Sequence, residues 1–447
     1  MPSPSPVTAE QVRRWRDQLT SRCVGSDAAE LVDLIAALED LKSAACAVQA
    51  ESSVTFDAAR RAEQAAQGVP ARRQGRGVAA EIALARRESP HRGQILLGFA
   101  KVLVSEMPHS LDRLRDGSLN EHRTILLARE TGCVSAALRA FVDQEVAADP
   151  AALMGAGTRE IVGRTRRLVA ELDPAAVARR ARQAEADRNV TVRPAPDTMA
   201  YLTGLMPVAQ AVSIYASLRQ AALAARAAGD PRSLGQLMAD LLLSRATGNP
   251  DTGTPEDAPA VPVTVNVTMS EETLAGGHAP ADLTAPGTPS DVLPAETARL
   301  LAARALDTGA ALWFRQLHRN RLGRLVAMTS RQRVFPESLG EFLALRGNGI
   351  CASAYCDAPV RHRDHITPAD RDGPTSADNG QGLCEACNHA KQAPGWEQSV
   401  VSHADERHRV ETVTPTGHHY LATAPAPAGW REPRFVELAP GRYGLIA

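Results

Sequence analysis

The chain is poor in lysine, in aromatic residues and in long apolar runs. Only Lys42, Lys101 and Lys391 occur among 50 basic residues, so the other 47 are arginine. Together with abundant alanine, this points to codon usage in a GC-rich genome, and it makes a lysine inside a motif worth noticing. Aromatic residues make up 4% of 447. A core with so few rings must rest on alanine, leucine and valine. The longest apolar stretch, Ile95 to Val104, is interrupted by Lys101 and is too short to span a bilayer. Met1 to Asp17 is polar and holds no signal-peptide run. The expectation is a soluble, cytoplasmic protein with no membrane segment. An excess of charge is also missing, since the formal net charge is −1. Any polyanion must therefore be gripped by a local patch.

The rest of the composition is ordinarily globular, 44% hydrophobic and 23% charged, which excludes disorder as the overall state. At about 150 residues per domain, the length suggests roughly three domains. Residues 1–24 read as an N-terminal tail. Leu31, Leu34, Ile35, Leu38, Leu41 and Ala45 recur at helical spacing behind a capping pair, Asp27 and Glu30. Further amphipathic runs follow at 78–88, 94–106, 119–131, 134–147, 158–171 and 173–186, punctuated by Gly68, Pro90, Pro108, Gly117, Gly132 and Pro150. These predict a helical domain over 25–187. Over 188–334 the texture is α+β. Strands are expected at 189–193, 198–205, 261–269, 311–317 and 323–329, helices at 207–228, 233–246 and 295–305, and Pro/Gly/Thr-rich loops at 248–259 and 276–294. The predicted class is thus mainly α with an α+β centre. A small domain at 335–410 and a weakly patterned tail at 411–447 complete the chain.

Four of seven cysteines crowd into that small domain. Cys351-x4-Cys356 and Cys384-x2-Cys387 are two close pairs separated by 27 residues. A disulfide framework would spread its cysteines, whereas paired knuckles are the pattern of a four-thiolate structural Zn²⁺ site. Cys23, Cys46 and Cys133 sit in helical patterns and read as small buried apolar residues. Gly75-x-Gly77 lacks the third glycine and the preceding strand of a phosphate loop.

Between the knuckles lie Asp364-His365-Ile366 and Asn379, and Asn388 and Lys391 follow Cys387. A plain zinc ribbon needs none of these. The order resembles the ββα-metal, treble-clef-like fold of HNH endonucleases. The stretch from Gly373 to Asn388, with Gly229 to Leu237 and Thr414 to Tyr420, is similar to the bacterial 13E12-repeat family, in which a domain of unknown function precedes a C-terminal HNH nuclease. The resemblance implies hydrolysis of DNA phosphodiesters, with His365 as general base and Asn379 fixing it across the hairpin. It implies Asp364 and Asn388 as ligands of a catalytic divalent ion, and Lys391 on the same helix face as a phosphate contact. An all-oxygen ligand pair suits Mg²⁺ or Mn²⁺. His389, about 100° further round the helix, reads as a bystander. His362, His403, His408, His418 and His419 read as solvated. The sequence departs from commoner forms in the x4 spacing of its first knuckle and in Asn388, where many relatives have histidine.

Arg315, Arg319, Arg321, Arg324, Arg331, Arg333 and Arg346 face only Glu337 and Glu341 between 309 and 349, a local excess of 7 − 2 = +5. That stretch reads equally as a phosphate track or a solvated face. Two other functional classes compete with the nuclease. One is a non-catalytic zinc module that binds nucleic acid. The other is a regulatory protein whose N-terminal region binds a protein partner.

Overall fold

The computed structural model describes residues 6–21, 25, 27–195, 199–247, 266–284, 291–307, 329–330, 334–403, 406–426, 434–439 and 442–446. Most of the described chain is helical, with small antiparallel sheets. Among the described residues no helix is long and apolar enough to cross a membrane. The chain divides into two compact units, one of residues 1–58 and 96–178, the other of 59–95 and 179–447.

The first unit begins with α1 (Ala9–Thr20), inside the expected tail. Thr8 and Gln11 form a capping box: the Thr8 Oγ1 accepts from the Gln11 N–H at 3.2 Å, and Gln11 Oε1 accepts from the Thr8 N–H at 2.8 Å. The long helix α2 (Ala28–Ala66) starts behind Asp27, whose carboxylate caps the Glu30 N–H. After α3 (Val78–Arg86), which belongs to the second unit, come α4 (Pro90–Glu106), α5 (Pro108–Arg115), α6 (Glu121–Glu130), α7 (Ala136–Ala147), α8 (Thr158–Leu172) and α9 (Pro174–Ala186), the last running on into the second unit. Pro108 opens α5 instead of merely breaking the pattern, because a first-turn N–H has no helical acceptor to lose. Asp143 of α7 supplies the missing cap, accepting from the N–H groups of His109 and Ser110 at 2.8 and 3.0 Å. Leu103, Met107, Leu111, Leu114, Leu127 and Ile161 meet in the core of this unit. As the composition requires, Phe99 is the one aromatic among its buried members. Cys46 and Cys133 are half-buried beside apolar neighbours, and Cys23 lies outside the described residues.

In the second unit β1 (Asn189–Ala195) and β2 (Met199–Leu205) form a hairpin, followed by the pair α10 (Val208–Ala227) and α11 (Leu234–Thr247). The expected strand at 261–269 is described only as β3 (Asn266–Thr268), paired through α12 (Glu271–Leu274) to β4 (Ala281–Thr284) and then β5 (Asp291–Leu293). Two segments expected as loop are therefore strands. The helix α13 (Ala295–Asp307) follows. The expected loop at 248–259, the strand at 311–317 and most of that at 323–329 lie outside the described residues, and β6 (Thr329–Ser330) is what remains.

The C-terminal part starts with α14 (Glu337–Arg346), and then β7 (His362–His365), β8 (Thr375–Ser376), β9 (Gly380–Leu383) and α15 (Glu385–Lys391). β7 pairs antiparallel with β9, and α15 follows at once, giving the expected ββα order. Residues 411–447 are not simply a tail. β10 (Glu397–Val400), β11 (Arg409–Val413) and β12 (His419–Thr423) form a meander, and β13 (Arg434–Ala439) pairs with β14 (Arg442–Ile446). Val410 and Thr412 are buried while their neighbours are not, the alternation of a one-faced strand.

Candidate metal centre and active site

The first knuckle is set by a sharp chain reversal. Asn348 and Gly349 both have positive φ, 51° and 70°, and turn the chain out of α14. The Cys351 N–H then donates to the Ala358 carbonyl at 2.9 Å, and the Ala352 N–H donates to Gly382 of β9 at 2.8 Å. These bonds lay the knuckle against the hairpin. The second knuckle is the start of α15, where Cys384 is the N-cap and its sulfur accepts from the Cys387 N–H at 3.4 Å. All four cysteines are buried, and their sulfurs lie within 4.8 Å of one another. Cys356 Sγ and Cys384 Sγ are 3.8 Å apart. Four sulfurs at about 2.3 Å from a tetrahedral ion would be separated by about 3.8 Å. Hydrogen bonds from Cys351 and Cys356 push the Cys384 thiol far below its usual range, while its neighbours push Cys387 and Cys356 up. The Cys351 thiol is also pushed down, chiefly by a hydrogen bond from Cys356, so the set favours some thiolates at the expense of others unless a cation is shared among them. The donor set fits a tetrahedral metal ion.

The hairpin brings the other motif residues beside this cluster. Register places Asp364 opposite Gln381, and His365 opposite Gly380. The Asp364 carboxylate faces α15, whose Lys391 donates to Asp364 Oδ2 at 2.5 Å and also to the His365 carbonyl. Lys391 is 10% exposed. Expected to present its charge to a phosphate, it turns that charge inward onto the carboxylate. His365 meets a different set of groups. Its Nε2 is 2.9 Å from the Thr375 hydroxyl, and its ring lies 4.4 Å from that of Phe335.

Asn379 is buried and ties the connecting loop together. Its Oδ1 accepts from the Thr367 N–H at 2.8 Å, and its Nδ2 donates to the carbonyls of Thr367 and Pro374 at 3.0 and 2.9 Å. Gly373 is indispensable in that loop, because a Cβ there would lie 1.8 Å from the Thr367 carbonyl oxygen. On α15, Asn388 has a fully buried Oδ1 with no hydrogen-bond partner among the described residues, whereas His389 is exposed. Asn388 precedes Lys391 by three residues and so shares the face that reaches Asp364.

Several residues differ from their sequence reading. His408 is not solvated: it is 5% exposed, and its Nε2 donates to the Asp378 carbonyl at 2.8 Å, next to Asn379. His362 is half-buried on β7, while His403, His418 and His419 are exposed. Arg346 is no phosphate contact, since its guanidinium donates to the carbonyls of Ala377 and Gly380, both at 2.5 Å. Arg315, Arg319, Arg321, Arg324, Arg331 and Arg333 lie outside the described residues. Thr375, Phe335 and Gln381 had no sequence signal beyond their neighbourhood. Gln381 is fully buried, donates to Gln398 at 2.7 Å, and leaves its Oε1 without a partner among the described residues.

Comparison with protein families matches residues 35–346 to a domain of unknown function, DUF222, and residues 351–393 to the HNH endonuclease domain. No curated protein and no solved structure matches the chain.

Proposed function

The chain belongs to the DUF222 family and carries an HNH endonuclease domain behind it, and from that premise we propose that it is a metal-dependent endonuclease hydrolysing DNA phosphodiester bonds. His365 takes the proton from water as the water oxygen bonds to phosphorus and the bond to the 3′ oxygen breaks. An imidazole suits this work at neutral pH. The Thr375 hydroxyl and the Phe335 ring orient it. Asn379 positions the base indirectly, by fixing the loop that follows it. Asp364 and Asn388 would hold a Mg²⁺ or Mn²⁺ ion, which supplies charge stabilisation to the phosphorane and the leaving oxygen. Cys351, Cys356, Cys384 and Cys387 would hold a structural Zn²⁺ ion.

The single observation that carries the reading is the buried, unpartnered carbonyl oxygen of Asn388. Such an orphan costs about 1–3 kcal/mol unless something binds it. It stands on the helix face that Lys391 shares, and Lys391 reaches Asp364. The pairing of Asp364 with Lys391 favours a second reading, a zinc-dependent nucleic-acid-binding module without catalysis. One experiment separates the two: purified protein is incubated with plasmid DNA and Mg²⁺ or Mn²⁺ beside a His365→Ala control. The wild type should cleave, and the variant should be slower by about 10²–10⁴-fold. Since His365 is no ligand of the cysteine site, the variant should keep its zinc. Equal cleavage by the two proteins would remove His365 from the mechanism. DNA binding with no cleavage by either would establish the second reading.

A further inference from the structure

The HNH match spans 393 − 351 + 1 = 43 residues. A unit that small rarely buries enough apolar surface to hold itself together. Its own buried apolar cluster consists of the four cysteines and Leu383. A second cluster is shared with α3, which lies in the DUF222 match. Ala80 and Leu84, at i and i+4 on one face of α3, are buried against Ala393 and Trp396, which follow α15. Partly buried members of the same cluster are Ala354, inside the first knuckle, and Ala390, next to Lys391.

The approach is close. Gly77 caps α3 with φ +85°, and a Cβ there would stand 2.5 Å from Trp396 Nε1 and 3.0 Å from Ala393 Cβ. One turn on, Glu81 Oε2 accepts from the Thr416 hydroxyl at 3.0 Å, in the turn between β11 and β12. Thus α3 touches the knuckle loop, the end of α15 and the meander, all within the second unit.

We infer that α3 is a positioning element of the nuclease: it fixes the C-terminal end of α15, and with it Asn388 and Lys391, against β7. Gly77, Ala80 and Leu84 act through Trp396 and Ala390 and touch no substrate. The catalytic half of this inference rests on the nuclease reading above, while the docking of α3 does not.

The test uses the full-length protein with Leu84→Ala, the conservative Leu84→Met, and Leu127→Ala as an equal truncation in the core of the first unit. Hydrogen exchange by mass spectrometry follows the peptides covering 351–356 and 385–391, and plasmid cleavage is resolved into kcat and KM. In Leu84→Ala those peptides should exchange faster by on the order of tenfold, kcat should fall, and KM for DNA should hold. Leu84→Met should restore both, and Leu127→Ala should leave both unchanged. If Leu84→Ala does not fold, Leu84→Val carries the same expectations with smaller effects. Unchanged exchange in a folded variant overturns the docking. Faster exchange with unchanged kcat overturns the positioning role. If the wild type itself cleaves no DNA, the nuclease reading fails and the exchange result alone decides whether α3 braces α15.

Discussion

At the scale of single residues, the site depends on which cation the Asp364 carboxylate holds. Lys391 holds it in the structure, through an ammonium that is 10% exposed. In the proposed site a divalent ion would compete with that ammonium, because both would seek the same oxygen. Lys391→Met should therefore raise Mn²⁺ affinity by on the order of tenfold, equivalent to about 1.4 kcal/mol. Asn388→Ala should lower it, and His389→Ala, an exposed change, should leave it alone. Calorimetric titration of the zinc-loaded protein with Mn²⁺ reads all three without an activity assay. Weaker binding by Lys391→Met would mean that the lysine supports the ion. The sequence told much about these residues' identities and little about their surroundings. Spacing singled out the four cysteines, and the resemblance to HNH endonucleases pointed to Asp364, Asn379 and Asn388. It did not reveal that Lys391 turns inward, that His408 is buried or that Arg346 is consumed by two carbonyls. Those facts depend on chain segments between 27 and 34 positions distant, and no local pattern encodes them.

At the scale of elements, most helices were legible because periodicity and capping chemistry agree, as at Asp27, whereas α1, capped by Thr8, lay in a stretch that read as tail. The meander after residue 396 was less so. Its strands are four or five residues long, with Thr412 taking an inward position where an aliphatic residue would have signalled burial. The placement of α3 was out of reach, because Glu81 and Thr416 are 335 positions apart. That contact makes a pH prediction. Burial pushes the Glu81 carboxyl above its ordinary 4.5, with Thr416 and Arg60 only partly offsetting it. The folded chain then keeps the proton to higher pH than the unfolded chain does. Stability falls as pH rises from about the unfolded value toward the folded one. Glu81→Gln stays uncharged throughout, and Glu63 still pairs with Arg60. In thermal unfolding the variant should gain on the wild type between pH 4 and 7, and the difference should vanish in acid. A variant less stable than wild type at pH 7 would show that the charged carboxylate is the favoured form.

At the scale of the whole molecule, the DUF222 match does not coincide with one compact unit. The chain leaves the first unit after Ala58, contributes residues 59–95 to the second, and returns at Leu96. Sequence order suggests an uninterrupted helical domain over 25–187, since every helix there has similar amphipathic character. Which helices share a core is a property of packing, and their periodicity does not state it. The two units differ in what holds them together. The first has an apolar core running from Ala47 to Ile161, and its described cysteines, Cys46 and Cys133, join no cluster of metal-ligating side chains among the described residues. The second contains the four-cysteine cluster. Structural zinc supplies about 10–16 kcal/mol of folding free energy, against about 5–15 kcal/mol for the net stability of an ordinary domain. Stripping the ion should therefore unfold the ββα region outright, while the core of the first unit persists. Scanning calorimetry of the zinc-loaded protein should show a transition that a strong chelator abolishes and another that it leaves in place. Cys384→Ser should reproduce the chelator's effect without one, since it removes a thiolate while its hydroxyl can still cap α15. An identical trace with and without chelator, from protein shown by elemental analysis to have held zinc, would mean that the cysteines pack as apolar side chains and the ion is dispensable to the fold.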